Sequence, residues 1–410
     1  MTTQDVAETH RSAVVDRDRA RRLMAERDLQ AIIAYGGPNF FYLTGFQNYF
    51  DNPAASMAVL PASPAIGDFA IVANWVADAA RAAAEVDDIV SFPLWLEIGD
   101  IERHRDGSMP SNPKPTRYDV AANVRLLIAE LGKRGLRRGR IGIELGSVSA
   151  QVFALLSEQA PEIEWVNAAD IFFELRSIKT PFEIACIREA TLFAEHGLRR
   201  LTETPLLGRD ANGLKLIYEL ACAERALAQT DTAFQGIRVT ASVGGVISPT
   251  LSGGPRVAAG DLVFFDCGAS VHGYGSDTGR TLTLAPPSDE ARRIMDALKT
   301  GMEAAFELVR PGARMCDIFH AGQNAVRKAG IPWYTRGHIG HAMGLGMGEM
   351  PPFLAPAETR VLEPGMVIAL ETPLYMRGLG GFQIEECFVV TEDGYELLTT
   401  LPRDFLPAVA

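Results

Sequence analysis

The sequence has 410 residues, of which 47% are apolar, which is enough to bury more than one hydrophobic core. Its 39 Lys and Arg residues are outnumbered by 51 Asp and Glu residues, and the net charge of −12 argues against a nucleic-acid partner. Residues 1–22 lack the apolar core of a signal peptide, and no stretch reaches the ~18 consecutive apolar residues of a membrane span. We therefore expect a globular cytoplasmic protein that binds neither nucleic acid nor a membrane.

The N-terminal half alternates between helical and extended patterns. Residues 14–24 have a charged helical pattern, the apolar run Ala31–Tyr35 predicts a buried strand, and the Gly-Gly-Pro-Asn sequence of residues 36–39 predicts a turn. Further strands are predicted at residues 69–72, 89–90 and 140–144, and further helices at residues 75–84 and 118–133. This alternation indicates an α/β domain.

A boundary is predicted near residues 177–183. Thr180 can act as an N-cap, Pro181 suits the first helical position, and Glu183 is placed to complete a capping box, so a long helix should run from here to about residue 201. Many of the glycines lie beyond this point, where they frame apolar strands that carry polar residues. We therefore divide the chain into residues 1–175 and residues 176–410.

The C-terminal half places single acids and one histidine in apolar surroundings. Asp266 ends an apolar run, and Asp277 follows eleven residues later, so a hairpin would bring the two carboxylates together. His341 lies in a glycine-rich apolar segment, Glu371 ends a second apolar run, and Glu385 lies inside a third. A buried acid is costly unless it meets a cation. Four carboxylates and one imidazole are a suitable ligand set for two divalent metal ions.

Five cysteines are widely spaced and form no C-x-x-C pair, which indicates reduced thiols that pack in the interior.

The order and framing of these segments resemble the pita-bread metallopeptidase family, which includes methionine aminopeptidases, Xaa-Pro aminopeptidases, prolidases and creatinase. In the C-terminal half the resemblance rests on residues 260–268, 273–281, 340–344, 363–371 and 384–394. In the N-terminal half, residues 39–45 resemble the signature of the creatinase/prolidase N-terminal domain, and residues 175–183 resemble the interdomain junction. The resemblance implies an α+β protein whose pita-bread catalytic domain, residues 176–410, follows an α/β creatinase/prolidase-type domain.

Carried over position by position, the resemblance implies that the metal ligands are Asp266, Asp277, His341, Glu371 and Glu385. Strand alternation puts Glu385 and its neighbour Glu386 on opposite faces of the strand, and the surrounding motif favours Glu385 as the metal ligand. The implied cofactor is a pair of divalent ions, with manganese preferred to iron, cobalt or zinc. Glu371 is implied to be the general base, and His341 is implied to be catalytic as well as a metal ligand. A homodimer is also implied.

The sequence departs from the peptide-cleaving members at two places. Gly348 stands where a second histidine is expected, and residues 242–256 lack another expected histidine. His338 is a candidate to replace one of these catalytic groups. The losses predict a remodelled pocket for a small substrate, and Tyr49, Phe50 and Trp95 are candidates to stack on it.

Three functional classes follow from this pattern. The first is a metal-dependent hydrolase of a C–N bond, in either an Xaa-Pro peptide or a small amide such as those cleaved by ectoine hydrolase and creatinase. The second is a metal-dependent lyase of a small zwitterion, similar to a dimethylsulfoniopropionate lyase. The third is a binding protein without catalysis, which would be expected to have lost ligands, whereas all five are present here.

Overall fold

The structure is a computed structural model, and it describes residues 14–48, 56–230, 233–246, 254–346 and 350–410. The chain forms two compact units, Met1–Leu175 and Arg176–Ala410. Within the described residues, none of the helices combines the length and apolar character needed to cross a membrane.

The first unit contains a six-stranded sheet and short helices. Its strands are β1 (Ala31–Tyr35), β2 (Ser56–Pro61), β3 (Phe69–Ala73), β4 (Asp88–Phe92), β5 (Gly139–Ile143) and β6 (Ile163–Asn167). Its helices are α1 (Arg17–Glu26), α2 (Gly37–Thr44), α3 (Ala77–Ala83), α4 (Ile101–Asp106), α5 (Val120–Lys133), α6 (Ala150–Gln159) and α7 (Ala169–Ser177), the last of which ends just beyond the unit. A 3₁₀ turn, Asn74–Val76, precedes α3.

The sheet of the first unit has the strand order β4-β3-β2-β1-β5-β6. Helix α5 packs against it through Val124, Leu127 and Leu131, whose spacing of three and four residues places them on one face of the helix. The strand predicted at Ala31–Tyr35 is confirmed. The turn predicted at residues 36–39 is wrong, because helix α2 begins at Gly37. Proline is tolerated in the first turn of a helix, and burial of Phe40 and Leu43 stabilises the helical conformation.

The second unit is built on a larger sheet of ten strands, beside which β14 and β15 form a separate two-stranded sheet. The strands of this unit are β7 (Phe234–Val243), β8 (Leu262–Val271), β9 (Tyr274–Gly275), β10 (Thr278–Thr283), β11 (Gly340–Ala342), β12 (Met350–Phe353), β13 (Val367–Glu371), β14 (Leu374–Met376), β15 (Gly380–Phe382), β16 (Ile384–Val390), β17 (Tyr395–Leu397) and β18 (Leu406–Pro407). Its helices are α8 (Pro181–Glu203), α9 (Ala211–Leu227), α10 (Asp289–Phe306) and α11 (Met315–Lys328).

Helix α8 begins as the sequence predicts. The Thr180 hydroxyl accepts a hydrogen bond from the Glu183 main chain, and the Glu183 carboxylate accepts one from the Thr180 main chain. The two bonds satisfy amide groups that the first turn of a helix leaves without partners. The capping box therefore fixes where the helix starts.

The central path of the large sheet runs β12-β11-β13-β16-β10-β8-β7. Helices α10 and α11 contribute Leu298 and Phe319 to a core that also contains Ile368 and Phe388 of the sheet. Strands β8 and β10 pair in antiparallel fashion, as the predicted hairpin requires. Asp266, which we expected at the end of its strand, lies in the middle of β8, because the strand continues through buried residues to Val271.

Candidate metal centre

One face of the large sheet carries the side chains that the sequence analysis selected. Asp266 of β8 is opposite Gly279 of β10, Gly279 is opposite Glu385 of β16, and Glu385 is opposite Glu371 of β13. Directly opposed residues point to the same side of a sheet. Three of the expected ligand carboxylates therefore form one row across four adjacent strands.

His341 and Asp277 belong to the same face. His341 is opposite Ala369 of β13, two residues before Glu371 and therefore on its side of the strand. Asp277 immediately precedes β10, and its Oδ2 is 3.7 Å from Nε2 of His341. Ligand atoms of Asp277, His341 and Glu385, all buried, lie within 4.8 Å of one another, close enough to hold one metal ion.

The neighbouring acid, Glu386, points to the other face. Its carboxylate accepts hydrogen bonds from Nη2 of Arg280 at 2.9 Å and from Nε of Arg403 at 3.0 Å. Nη1 of the buried Arg280 also donates to the main-chain oxygen of Glu385 at 2.6 Å. Arg280 therefore fixes the strand that presents Glu385, and Glu386 balances its charge.

Several polar side chains lie close to the carboxylate of Glu371. Nη2 of Arg336 donates to Oε1 of Glu371 at 2.6 Å, and Nε2 of Gln383 donates to Oε2 at 3.4 Å. Nδ1 of His338 lies 3.9 Å from Oε1. Gln383 also donates to Oε2 of Glu385 at 3.2 Å, so its amide links the two glutamates.

Arg238 of β7 reaches the same face from the edge of the sheet. Its Nη2 is 2.9 Å from Oδ1 of Asp266 and also donates to Oδ1 of Asp277. Sequence reasoning missed Arg238, Arg336 and Gln383. The sequence offered one signal for Arg238. It is a cation in the strand next to β8, which carries the buried acid Asp266, and a buried charge requires a partner.

The electrostatics of the face favour a bound cation. Burial raises the pKa of Asp266, Asp277 and Glu385, and the nearby carboxylates add to this effect. For Arg238, burial acts to lower the pKa, but the carboxylates of Asp277 and Asp266 outweigh it and the pKa is raised. A buried cluster of acids repels itself unless positive charge is supplied.

The donor set fits a metal ion. Carboxylate and imidazole groups converge here from four strands. The buried Oε1 of Gln383 lies beside them and has no hydrogen-bond partner among the described residues. Oxygen and imidazole ligands suit divalent manganese, iron, cobalt and zinc. The residues present can therefore hold the ion that the sequence analysis expects.

Other predicted positions lie away from this face or outside the described residues. Gly348, Tyr49 and Phe50 are outside the described residues, as are residues 247–253 of the segment that lacks histidine. Trp95 belongs to the first unit, where it is 45% exposed and its ring lies 5.2 Å from that of Tyr118. The five cysteines are free and buried, as predicted.

Comparison with known proteins decides the family. Residues 185–392 match metallopeptidase family M24, and residues 17–178 match the creatinase/prolidase N-terminal domain. The chain belongs to metallopeptidase family M24. It is therefore a metal-dependent hydrolase with the pita-bread fold, as the resemblance implied.

Individual relatives agree with this assignment. An Xaa-Pro dipeptidase of Pyrococcus furiosus is 30% identical over 65% of this chain and 75% of the relative. An Xaa-Pro dipeptidase of Lactobacillus helveticus is 29% identical over 64% of this chain and 71% of the relative. The crystal structure of the prolidase from Pyrococcus horikoshii covers 94% of this chain and 98% of its own, with 19% identity and a TM-score of 0.76, and it shows the shared fold.

Proposed function

We propose that this M24 enzyme uses two divalent metal ions, manganese by preference, to hydrolyse the C–N bond of a small substrate, either an Xaa-Pro dipeptide or a small amide. The observation that carries the proposal is the row of carboxylates on one sheet face, completed by Asp277 and His341. The names of two relatives support a dipeptide, because the Pyrococcus furiosus and Lactobacillus helveticus proteins are called Xaa-Pro dipeptidases.

The proposed ligands are Asp266, Asp277, His341, Glu371 and Glu385. When bound, the ions would acidify an attacking water and polarise the carbonyl of the substrate. Buried carboxylates balance the charge of the ions, and Arg280 holds the strand that carries Glu385. The apolar core beneath the sheet keeps these side chains in one arrangement.

Glu371 is the proposed general base. In hydrolysis, water adds a hydroxyl group to the carbonyl carbon, the C–N bond breaks, and one proton must reach the departing nitrogen. Glu371 can take that proton on a carboxylate oxygen and return it to the nitrogen. Gln383 orients Oε2 of Glu371, and Nδ1 of His338 lies 3.9 Å from Oε1.

A remodelled pocket is part of the proposal. The sequence has Gly348 at the place of one expected histidine. Arg336 and His338 supply polar groups beside Glu371 instead. A preorganised donor to a developing oxyanion commonly raises the rate by about 10²- to 10³-fold. Arg336 and His338 are therefore the candidate donors in place of the missing histidines.

The test is turnover of Ala-Pro and Gly-Pro by manganese-loaded protein, with Asp277→Asn as the matched control and metal analysis of both. Cleavage by the parent protein and loss in the control would support a dipeptidase. Bound metal without peptide turnover would move the search to small amides. Reaction in ¹⁸O-labelled water separates hydrolysis, which incorporates the label, from elimination, which does not. Absence of bound metal would overturn the proposal.

A further inference from the structure

Gln383 fills a gap in the row of carboxylates on the large sheet. Gly279 of β10 stands between Asp266 and Glu385 in that row and has no side chain. A Cβ atom at Gly279 would overlap Cγ of Gln383, and the amide of Gln383 lies close by. The Gln383 side chain therefore lies over Gly279, in the middle of the proposed site.

The two ends of the Gln383 amide are distinguished by their neighbours. Ionised carboxylates only accept hydrogen bonds, so the NH₂ group is the end that contacts Oε2 of Glu385 at 3.2 Å and Oε2 of Glu371 at 3.4 Å. The main-chain N–H of Gln383 donates to Oγ1 of Thr281 at 2.8 Å, which fixes the backbone. The amide oxygen is thus turned away from both glutamates.

This oxygen, Oε1, is a buried acceptor that lacks a donor. Gln383 is 1% exposed, and no N–H or O–H group in the described part of the chain pairs with Oε1. Leaving a buried acceptor unpaired is costly, and such groups usually have a partner in the protein, in water or in a ligand. A substrate carbonyl bound at the neighbouring ligands would bring its scissile nitrogen, one bond from the carbonyl carbon, beside Oε1.

The charge of the site favours a neutral donor. Two divalent ions would balance the four proposed carboxylate ligands. Arg238 and Arg336 add two further positive charges, 2.9 Å from Asp266 and 2.6 Å from Glu371 respectively. An ammonium group would meet net positive charge in this place, whereas the N–H of an amide carries none. The acceptor therefore suits an amide N–H better than an amine.

We propose that Gln383 determines the class of amide that this enzyme cleaves. Oε1 accepts a hydrogen bond from the N–H of the scissile amide, so the preferred substrate is a secondary amide, such as an ordinary peptide bond. A peptide bond to proline has no hydrogen on its nitrogen and leaves Oε1 unpaired. The inference rests on the proposed function, and it selects one of the two substrate types named there.

The same hydrogen bond suits the chemistry of cleavage. When water adds to the carbonyl carbon, the nitrogen loses its conjugation and gains a lone pair. With its N–H held by Oε1, the nitrogen presents this lone pair in a fixed direction and takes the proton from Glu371 as the C–N bond breaks. The NH₂ group of Gln383 contacts Glu371 as well, so one side chain orients both partners of the proton transfer.

The experiment compares substrates that differ only in this N–H. Gly-Gly and Ala-Gly have it, whereas the corresponding dipeptides of sarcosine, which is N-methylglycine, do not. Ala-Pro completes the series, and kcat/KM is measured with the manganese-loaded full chain. Calorimetric titration of the Glu371→Gln variant with the same dipeptides reports the preference in binding, independently of turnover.

Two variants separate the acceptor from the donor. Gln383→Met keeps the length of the side chain but has neither amide group, and Gln383→Glu keeps an acceptor and loses the donor. The control is Gln323→Met, which removes another buried glutamine, one whose Oε1 accepts from the main-chain N–H of Arg336. Any disturbance of the two glutamates lowers both rates of a substrate pair and cancels in their ratio.

We expect the parent chain to prefer each N–H substrate over its N-methyl partner by about 10- to 100-fold in kcat/KM, because the methylated amide leaves a buried acceptor unpaired. The preference should fall by about tenfold or more in Gln383→Met. It should persist in Gln383→Glu and in Gln323→Met, even where both rates are lower.

The parent chain alone can overturn the inference, so it does not depend on the folding of a variant. Cleavage of the N-methyl substrates or Ala-Pro as fast as the N–H substrates would do so, as would a preference unchanged in Gln383→Met. If Ala-Pro is the better substrate and metal is bound, the proposed function stands and only the role of Gln383 falls. If the chain binds no manganese, or binds it and cleaves neither set, both fail.

Discussion

Glu385 and Glu386 are consecutive in β16, yet their carboxylates lie on opposite faces of the sheet. Glu385 is opposite Glu371 on the face that carries the proposed ligands, whereas Glu386 accepts hydrogen bonds from Arg280 and Arg403. Strand alternation thus separates a proposed metal ligand from a structural ion pair within two residues.

Glutamine substitution should separate these two roles. Glu385→Gln should lower manganese affinity by at least about tenfold, because even groups that only support ligands commonly have effects of this size. Glu386→Gln should leave metal affinity near that of the parent chain but reduce the free energy of unfolding by about 3 kcal/mol, because it leaves the buried Arg280 without its partner charge. Calorimetric metal titration and thermal unfolding measure the two effects. Equal metal affinity in Glu385→Gln and the parent chain would contradict the ligand assignment.

Glu371→Gln tests the proposed general base. The substitution retains an oxygen ligand and the approximate shape of the side chain but removes the carboxylate that would take a proton. We expect kcat on the cleaved substrate to fall by about 10²- to 10⁴-fold, while the fold is retained. The rate is compared at matched metal occupancy, established by elemental analysis, so that lost metal is not mistaken for a lost base. A kcat within a few-fold of the parent value would rule out this role.

Glu130 in α5 provides a test of pH-dependent stability away from the site. Burial alone would raise its pKa, but hydrogen bonds from Lys133 and Arg134 lower it below the usual 4.5. A lowered pKa in the folded state means that the stabilisation is present above pH 4.5 and is lost as the pH falls through the folded-state pKa. Glu130→Gln should therefore destabilise the first unit at neutral pH by about 1 to 2 kcal/mol.

The difference between Glu130→Gln and the parent chain should shrink when denaturant unfolding is repeated at decreasing pH through the acidic range. Glu158→Gln, at an exposed position of α6, is the matched control and should change stability little at any pH. A difference that stays constant between neutral and acidic pH would show that the charge of Glu130 is not the cause.

The sequence predicted site residues best where a charged side chain occurs within an apolar strand. Glu371 and Glu385 stand out because each acid belongs to an apolar strand, and the register brings them opposite each other. Arg238 could not be connected to Asp277, because 39 residues separate them and only the order of strands brings them together. The helix that begins at Gly37 was not predicted, because glycine and proline there indicate a turn. Burial of the apolar side chains of the helix outweighs this local preference.

Gly268 is the position where a small change should disturb the whole face. An added Cβ would lie 2.0 Å from the main-chain oxygen of Ser276, so Gly268→Ala must move the segment that carries Asp277. We expect a loss of about 1 to 3 kcal/mol in the stability of the second unit, the usual cost of overpacking, together with weaker manganese binding. Gly260→Ala is the control, since its added Cβ would meet nothing within 4 Å. If Gly268→Ala unfolds and binds manganese like Gly260→Ala, the tight approach of Ser276 to β8 does not position Asp277.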